Sequence, residues 1–145
     1  MIAASPVAPG CTPGTNYAGN YGQTVNNVSF NTISNSSSTG TNAAYTDFAC
    51  TANTVVTEGA THQMDISIGA GVSGGEVVEV YIDYNNDGNF VAGELVLSGS
   101  IAASTTAVIT GNVVIPTNAV ENTLLRMRVM GETGTLNNNE RTCVS

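Results

Sequence analysis

Lysine and tryptophan are both missing from this chain, and aromatic residues make up only 6% of it. Three basic residues stand against eleven acidic ones, giving a formal charge of −8. A surface without a basic patch excludes the usual electrostatic footprint for nucleic acid and for anionic membranes. Charged residues are only 10% of the chain, so the surface is left to Thr, Asn, Ser and Gly. That composition is typical of an exported β-protein. No apolar run reaches membrane-spanning length, and the N-terminus carries neither the basic region nor the apolar core of a signal peptide. The expectation is a segment taken from a longer polypeptide, monomeric when isolated.

Cysteine is sparse. Cys11, Cys50 and Cys143 form no CxxC-like metal cluster and allow one bridge with one thiol left over. In an exported protein a disulfide is the expected use. Cys11–Cys143 would staple both ends of the domain, and Cys11–Cys50 is the competing pair. Three unbonded buried side chains are the plain alternative.

What the chain does have is a run of oxygen-bearing residues at regular spacing, Asp83-Tyr84-Asn85-Asn86-Asp87-Gly88-Asn89-Phe90-Val91-Ala92-Gly93-Glu94. The pattern D-x-[DN]-x-[DN]-G-x₅-E is that of a calcium loop. A hard cation takes about six to eight oxygen ligands, and a curled loop turns alternate side chains inward to supply them. Asp83, Asn85 and Asp87 would offer side-chain oxygens, Asn89 its carbonyl, Val91 a bound water, and Glu94 both carboxylate oxygens. Gly88 suits the left-handed backbone of the turn. A bare Asn-Asp-Gly turn needs only Asp87 and Gly88; the added Asp83, Asn85 and Glu94 favour calcium. The flanks do not have helical periodicity, so the loop is expected between two strands rather than two helices.

With 145 residues the chain has room for one domain and a real core. Residues 1–10, rich in Ala and Pro, read as linker, residues 11–143 as a single domain, and 144–145 as a tail. A first strand is expected over Thr24–Ile33. Tyr45–Ala49 is a short segment with Asp47 between aromatics. The clearest alternation is Thr61–Ile68, with His62, Met64, Ile66 and Ile68 on one face. His62, the lone histidine, reads as structural. Further strands are expected at Glu76–Ile82, Glu94–Leu97, Ser104–Ile115 and Thr123–Met130, with Val78, Val80 and Ile82 inward and Glu79 outward. Arg126 and Arg128 share one strand face. They either address a ligand or run their stems over the sheet and satisfy carboxylates. About eight strands and no helix imply an all-β sandwich of mostly antiparallel strands, jelly-roll or Ig-like.

The chain resembles the GEVED domain. The residues that carry the resemblance are Cys11-Thr12-Pro13, Tyr45-Thr46-Asp47-Phe48, Val80-Tyr81-Ile82-Asp83-Tyr84-Asn85-Asn86-Asp87-Gly88-Asn89-Phe90 with Gly93-Glu94, Val114-Ile115-Pro116, and Leu125-Arg126-Met127-Arg128-Val129-Met130 with Cys143. It departs at Tyr84, where the family commonly has Trp, and at Glu121–Leu125, where a Gly usually precedes Thr-Arg-Met-Arg. The chain also stops before a Gly-Glu-Val-Glu-Asp-Tyr element, which leaves a final strand open. The resemblance implies a β-sandwich accessory module of large secreted or cell-surface proteins of Bacteroidetes and related bacteria. Its partners would be other domains of the same polypeptide; the resemblance implies no settled ligand, and a glycan or a cell-surface or extracellular protein stays open as the external one.

Three function classes follow. The first is a calcium-stabilised, non-catalytic accessory or adhesion-type module. The second is a carbohydrate-binding module, for which Tyr17, Tyr21, Tyr45, Tyr81 and Tyr84 with the many Asn would form the platform. The third is an enzyme, for which no nucleophile–base arrangement is visible; convergence of Asp47 and Asp65 would be its sign. The first is the expectation.

Overall fold

A computed structural model describes residues 6–10, 24–36, 45–69 and 74–133. Seven strands lie in these segments: β1 (Thr24–Phe30), β2 (Ile33–Ser36), β3 (Thr61–Gly69), β4 (Glu76–Ile82), β5 (Leu95–Ile101), β6 (Thr106–Val114) and β7 (Met127–Thr133). They form a four-stranded sheet in the order β2-β1-β3-β6 and a three-stranded sheet in the order β5-β4-β7. Every pairing is antiparallel. The two sheets face each other, with β5 packed on β6. This is the expected β-sandwich.

Alternation explains the core. Met64, Ile66 and Ile68 of β3 point to one side and are fully buried against Val78 and Val80 of β4. Phe30, Ile82, Leu97, Val113 and Ile115 complete the cluster. Period-2 patterning leaves one face of each strand apolar, and two such faces must cover each other. Asp65, on the opposite face of β3, accepts hydrogen bonds from Gln63 Nε2 and from Thr110 Oγ1 on the neighbouring strand.

Several boundaries differ from those the pattern suggested. The expected first strand over Thr24–Ile33 is a hairpin, because Asn31 takes a positive φ of 51° and turns the chain after Phe30, pairing it with Ile33. Asn tolerates that conformation better than most residues. The last strand starts at Met127, not Thr123, and runs to Thr133. The strand expected over Glu94–Leu97 begins at Leu95 and runs on to Ile101 as β5, with Glu94 in the one-turn 3₁₀ helix before it. Residues 49–51 lie in a turn, with Thr51 and Ala52 amides donating to Phe48 O.

Glu79 faces away from Val78 and Val80, as expected, yet only 6% of it is exposed. Its Oε2 accepts a 2.7 Å bond from the Tyr81 hydroxyl. The outer face of β4 is therefore covered too. The strand reads as more apolar than an ordinary half-buried one because both its sides are buried.

The sheets approach closely at Gly99. A Cβ there would stand 2.7 Å from Ile109 Cγ2 and 3.1 Å from its Cδ1, and a β-branched side chain has few rotamers with which to retreat. Gly99→Ala is expected to lower unfolding free energy by about 1–3 kcal/mol. Urea unfolding of the Gly99→Ala, Ile109→Val and double variants checks this. The double variant should recover part of the loss; strict additivity would show that the two do not meet.

Candidate functional site

Asp83 follows directly on the last residue of β4, Ile82, at the rim of the sandwich, and residues 83–94 join β4 to β5 there. Asp83 is fully buried. Its amide donates to Arg126 O (2.9 Å) at the approach to β7. Its carboxylate accepts from two loop amides, Asp87 N to Oδ1 at 3.1 Å and Gly88 N to Oδ2 at 2.9 Å. The backbone thus curls round one side chain. Asn86 (φ 53°) and Gly88 (φ 84°) take the left-handed conformations that the curl requires.

Other expected ligands repeat this logic. Asn85 Oδ1 accepts from Asp87 N, and Asp87 Oδ1 accepts from Asn89 N. Asn85 Nδ2 donates to Asp87 Oδ2 at 3.0 Å. Glu94, buried, is spread across the loop's base, with Oε1 accepting from Tyr84 N and Oε2 from Val91 N. A one-turn 3₁₀ helix over Ala92–Glu94 sets it there. Asp83, Asn85, Asp87, Asn89 and Glu94 therefore lie along one closed loop, with Asn85, Asp87 and Asn89 exposed at its tip. They are joined through backbone amides. Among the described residues, no group of three or more His, Cys, Asp or Glu side chains converges so as to hold a metal ion.

Sequence reasoning missed what lies on top of the loop. Residues 6–10, expected as linker, run against it: Val7 N donates to Asn86 Oδ1 (3.3 Å) and Gly10 N to Gly88 O (2.7 Å). Arg126 Nε donates to Val7 O at 2.7 Å. Contacts made by backbone groups leave no residue signature, and a Pro-rich stretch reads as linker whether docked or free.

Arg126 and Arg128 have separate tasks. Arg128 is buried with its guanidinium 4.4 Å from the centroid of Phe90, a cation–π stack. Phe90 in turn meets Tyr81 edge-on at 6.3 Å. Burial pulls Arg128 below its ordinary pKa, Tyr45 opposes this, and Arg126 adds to the lowering. Arg126 precedes β7 and reaches Val7, whereas Arg128 lies within the strand. His62 sets its ring edge-on to Phe30 (5.9 Å), with Nε2 buried and without a hydrogen-bond partner, as a structural histidine would. Asp47 receives the Ala49 amide of its own turn, whereas Asp65 is engaged on the outer face of β3. Cys50 is an exposed free thiol; Cys11 and Cys143 lie outside the described residues, as do Tyr17 and Tyr21.

The geometry defines a class: an all-β sandwich module with an acidic, amide-braced loop between two adjacent antiparallel strands. Residues 77–145 match the model of the GEVED domain family, a span that takes in β4 from Val77 onward, the whole loop and β5 to β7. Neither a curated protein nor a solved structure matches the chain.

Tyr84, the second residue of the loop, has a buried hydroxyl with no hydrogen-bond partner. Burial first, and the Glu94 carboxylate second, push its pKa up to about 12 from 10.0. A folded-state pKa above the unfolded one favours the protonated form. The stability linked to it is complete below pH 10 and is lost as pH rises towards 12. Tyr84→Phe is expected to be neutral or stabilising at pH 7, since it removes an unsatisfied buried hydroxyl. It should also flatten the alkaline fall in stability, which denaturant titrations between about pH 9 and pH 12 would read.

Proposed function

We propose that this chain is a calcium-stabilised, non-catalytic accessory module of a larger exported bacterial protein, secreted or held at the cell surface. The observation that carries the reading is Asp83: a fully buried carboxylate at the centre of a closed loop, with backbone amides on both oxygens. An ionised carboxylate is costly to bury without compensation. Each of its oxygens can accept an amide proton and still present a second lone pair, so amide bracing and cation binding are compatible.

The donor set suits a hard cation. Asp83, Asn85, Asp87, the Asn89 carbonyl and Glu94 offer oxygen only, without thiolate or imidazole. The exposed side chains of Asn85 and Asp87 would turn inward over an unchanged backbone curl to complete the shell, with Asp83 and Glu94 supplying oxygens from the buried part of the loop. The cation would neutralise three carboxylates that share one short loop. The accessory role rests on the family match, and export on the composition. Other domains of the same polypeptide are the partners this implies.

The carbohydrate-binding alternative has less support. Tyr81 is 3% exposed and tied to Glu79, and Tyr84 is half-buried. These two rings form no exposed platform.

A thermal melt of metal-stripped protein tests the calcium reading, with magnesium as control. At 10 mM calcium and an extracellular-type Kd of about 0.1–1 mM, stabilisation of about 1.5–3 kcal/mol is expected, a rise in Tm of several degrees. Asp87→Ala should abolish the rise and change little in chelator, because Asp87 is at the exposed tip. Asp83→Ala should lose stability in both conditions, because its carboxylate organises the backbone before any cation arrives. Identical melts with and without calcium would refute the ligand assignment and leave the loop a structural turn.

A further inference from the structure

Resting on the calcium reading, we propose that loop 83–94 is also a latch for the segment that leads into the sandwich: cation occupancy and docking of residues 6–10 reinforce each other. The segment Pro6-Val7-Ala8-Pro9-Gly10 has N–H groups only at Val7, Ala8 and Gly10, since proline has none. The loop holds two of these, through Asn86 Oδ1 and Gly88 O. Arg126 holds the Val7 carbonyl, and the Arg126 carbonyl receives the Asp83 amide. The strap, the loop and the approach to β7 are thus one connected set of hydrogen bonds.

The fit is close. A Cβ on Gly88 would lie 2.5 Å from Ala8 O, and one on Gly10 would lie 2.7 Å from Asn89 Oδ1. The two glycines allow the strap to lie directly on the loop backbone. Both acceptors it uses, Asn86 Oδ1 and Gly88 O, are set by the left-handed residues of the curl. A cation that fixes the curl fixes these acceptors. By linkage, a docked strap must then favour the cation-bound curl by the same factor. Neither Asn86 nor Arg126 occupies a position that supplies a cation ligand in the loop pattern, so their contribution to affinity would pass through the strap.

Amide hydrogen exchange at Gly10, read alongside a calorimetric calcium titration of the same protein, tests this. In calcium the Gly10 amide should exchange at least about tenfold more slowly than in chelator, with β3 amides unchanged as the internal standard. Asn86→Gly, which keeps the left-handed residue but removes the acceptor, should speed Gly10 exchange and weaken calcium binding about fivefold or more. Arg126→Lys retains the charge, lies outside the loop and loses the Nε donor; it should shift both readouts in the same direction. Calcium binding with unchanged Gly10 exchange would overturn the coupling alone. Absence of calcium binding would overturn the coupling together with the calcium reading on which it stands.

Discussion

The carboxylate of Asp83 sits where β4 leaves the sandwich, out of reach of water, and the chain after it bends so that two backbone amides can reach it. Much of the rim follows from that constraint. The bend places Asn86 and Gly88 in left-handed conformations, which in turn present Asn86 Oδ1 and Gly88 O to residues 6–10. The Asp83 amide pins Arg126 through its carbonyl, and the Arg126 side chain reaches the same strap. Glu94 closes the far side by receiving amides from both ends of the loop, at Tyr84 and Val91. An acidic stretch that would repel itself as an open chain is ordered by backbone donors.

Behind the rim, β4 is the strand on which both layers depend. Val78, Val80 and Ile82 meet β3 across the sandwich, while Glu79 and Tyr81 are buried on the other side. Placing polar groups in the interior demands partners. The Tyr81 hydroxyl bonds Glu79, and Arg128 lies over Phe90, itself a loop residue. Phe90 therefore links the loop to the sheet: its ring is almost fully buried between Tyr81 and Arg128. Loop geometry and sheet packing are for this reason not independent, and a change at the loop is felt in the three-stranded sheet.

The elements legible from the residues are those in which one side chain's chemistry suffices. The alternation of Thr61–Ile68 marked β3 and its buried face, Val78, Val80 and Ile82 marked the inner face of β4, and the D-x-N-x-D-G spacing marked the curl with Gly88 at its left-handed position. Boundaries were less legible. The β1–β2 turn depends on Asn31 taking a positive φ, and nothing in Phe30-Asn31-Thr32-Ile33 separates such a turn from a continuing strand. Leu124 and Leu125 carry an apolar pattern without pairing, because the partner of β7, from Met127 onward, is the finite strand β4.

What the sequence by itself determined is the fold class and the place of the loop, since period-2 burial and the spacing of oxygen-bearing side chains are local properties of the chain. What only the tertiary structure decided is how distant parts use that loop. The burial of Glu79, the separate tasks of Arg126 and Arg128, and the docking of residues 6–10 all arise from contacts between segments far apart in the chain. Hydrogen bonds such as Gly10 N to Gly88 O are made by backbone atoms common to nearly every residue. No residue pattern records them until the fold brings the two segments together.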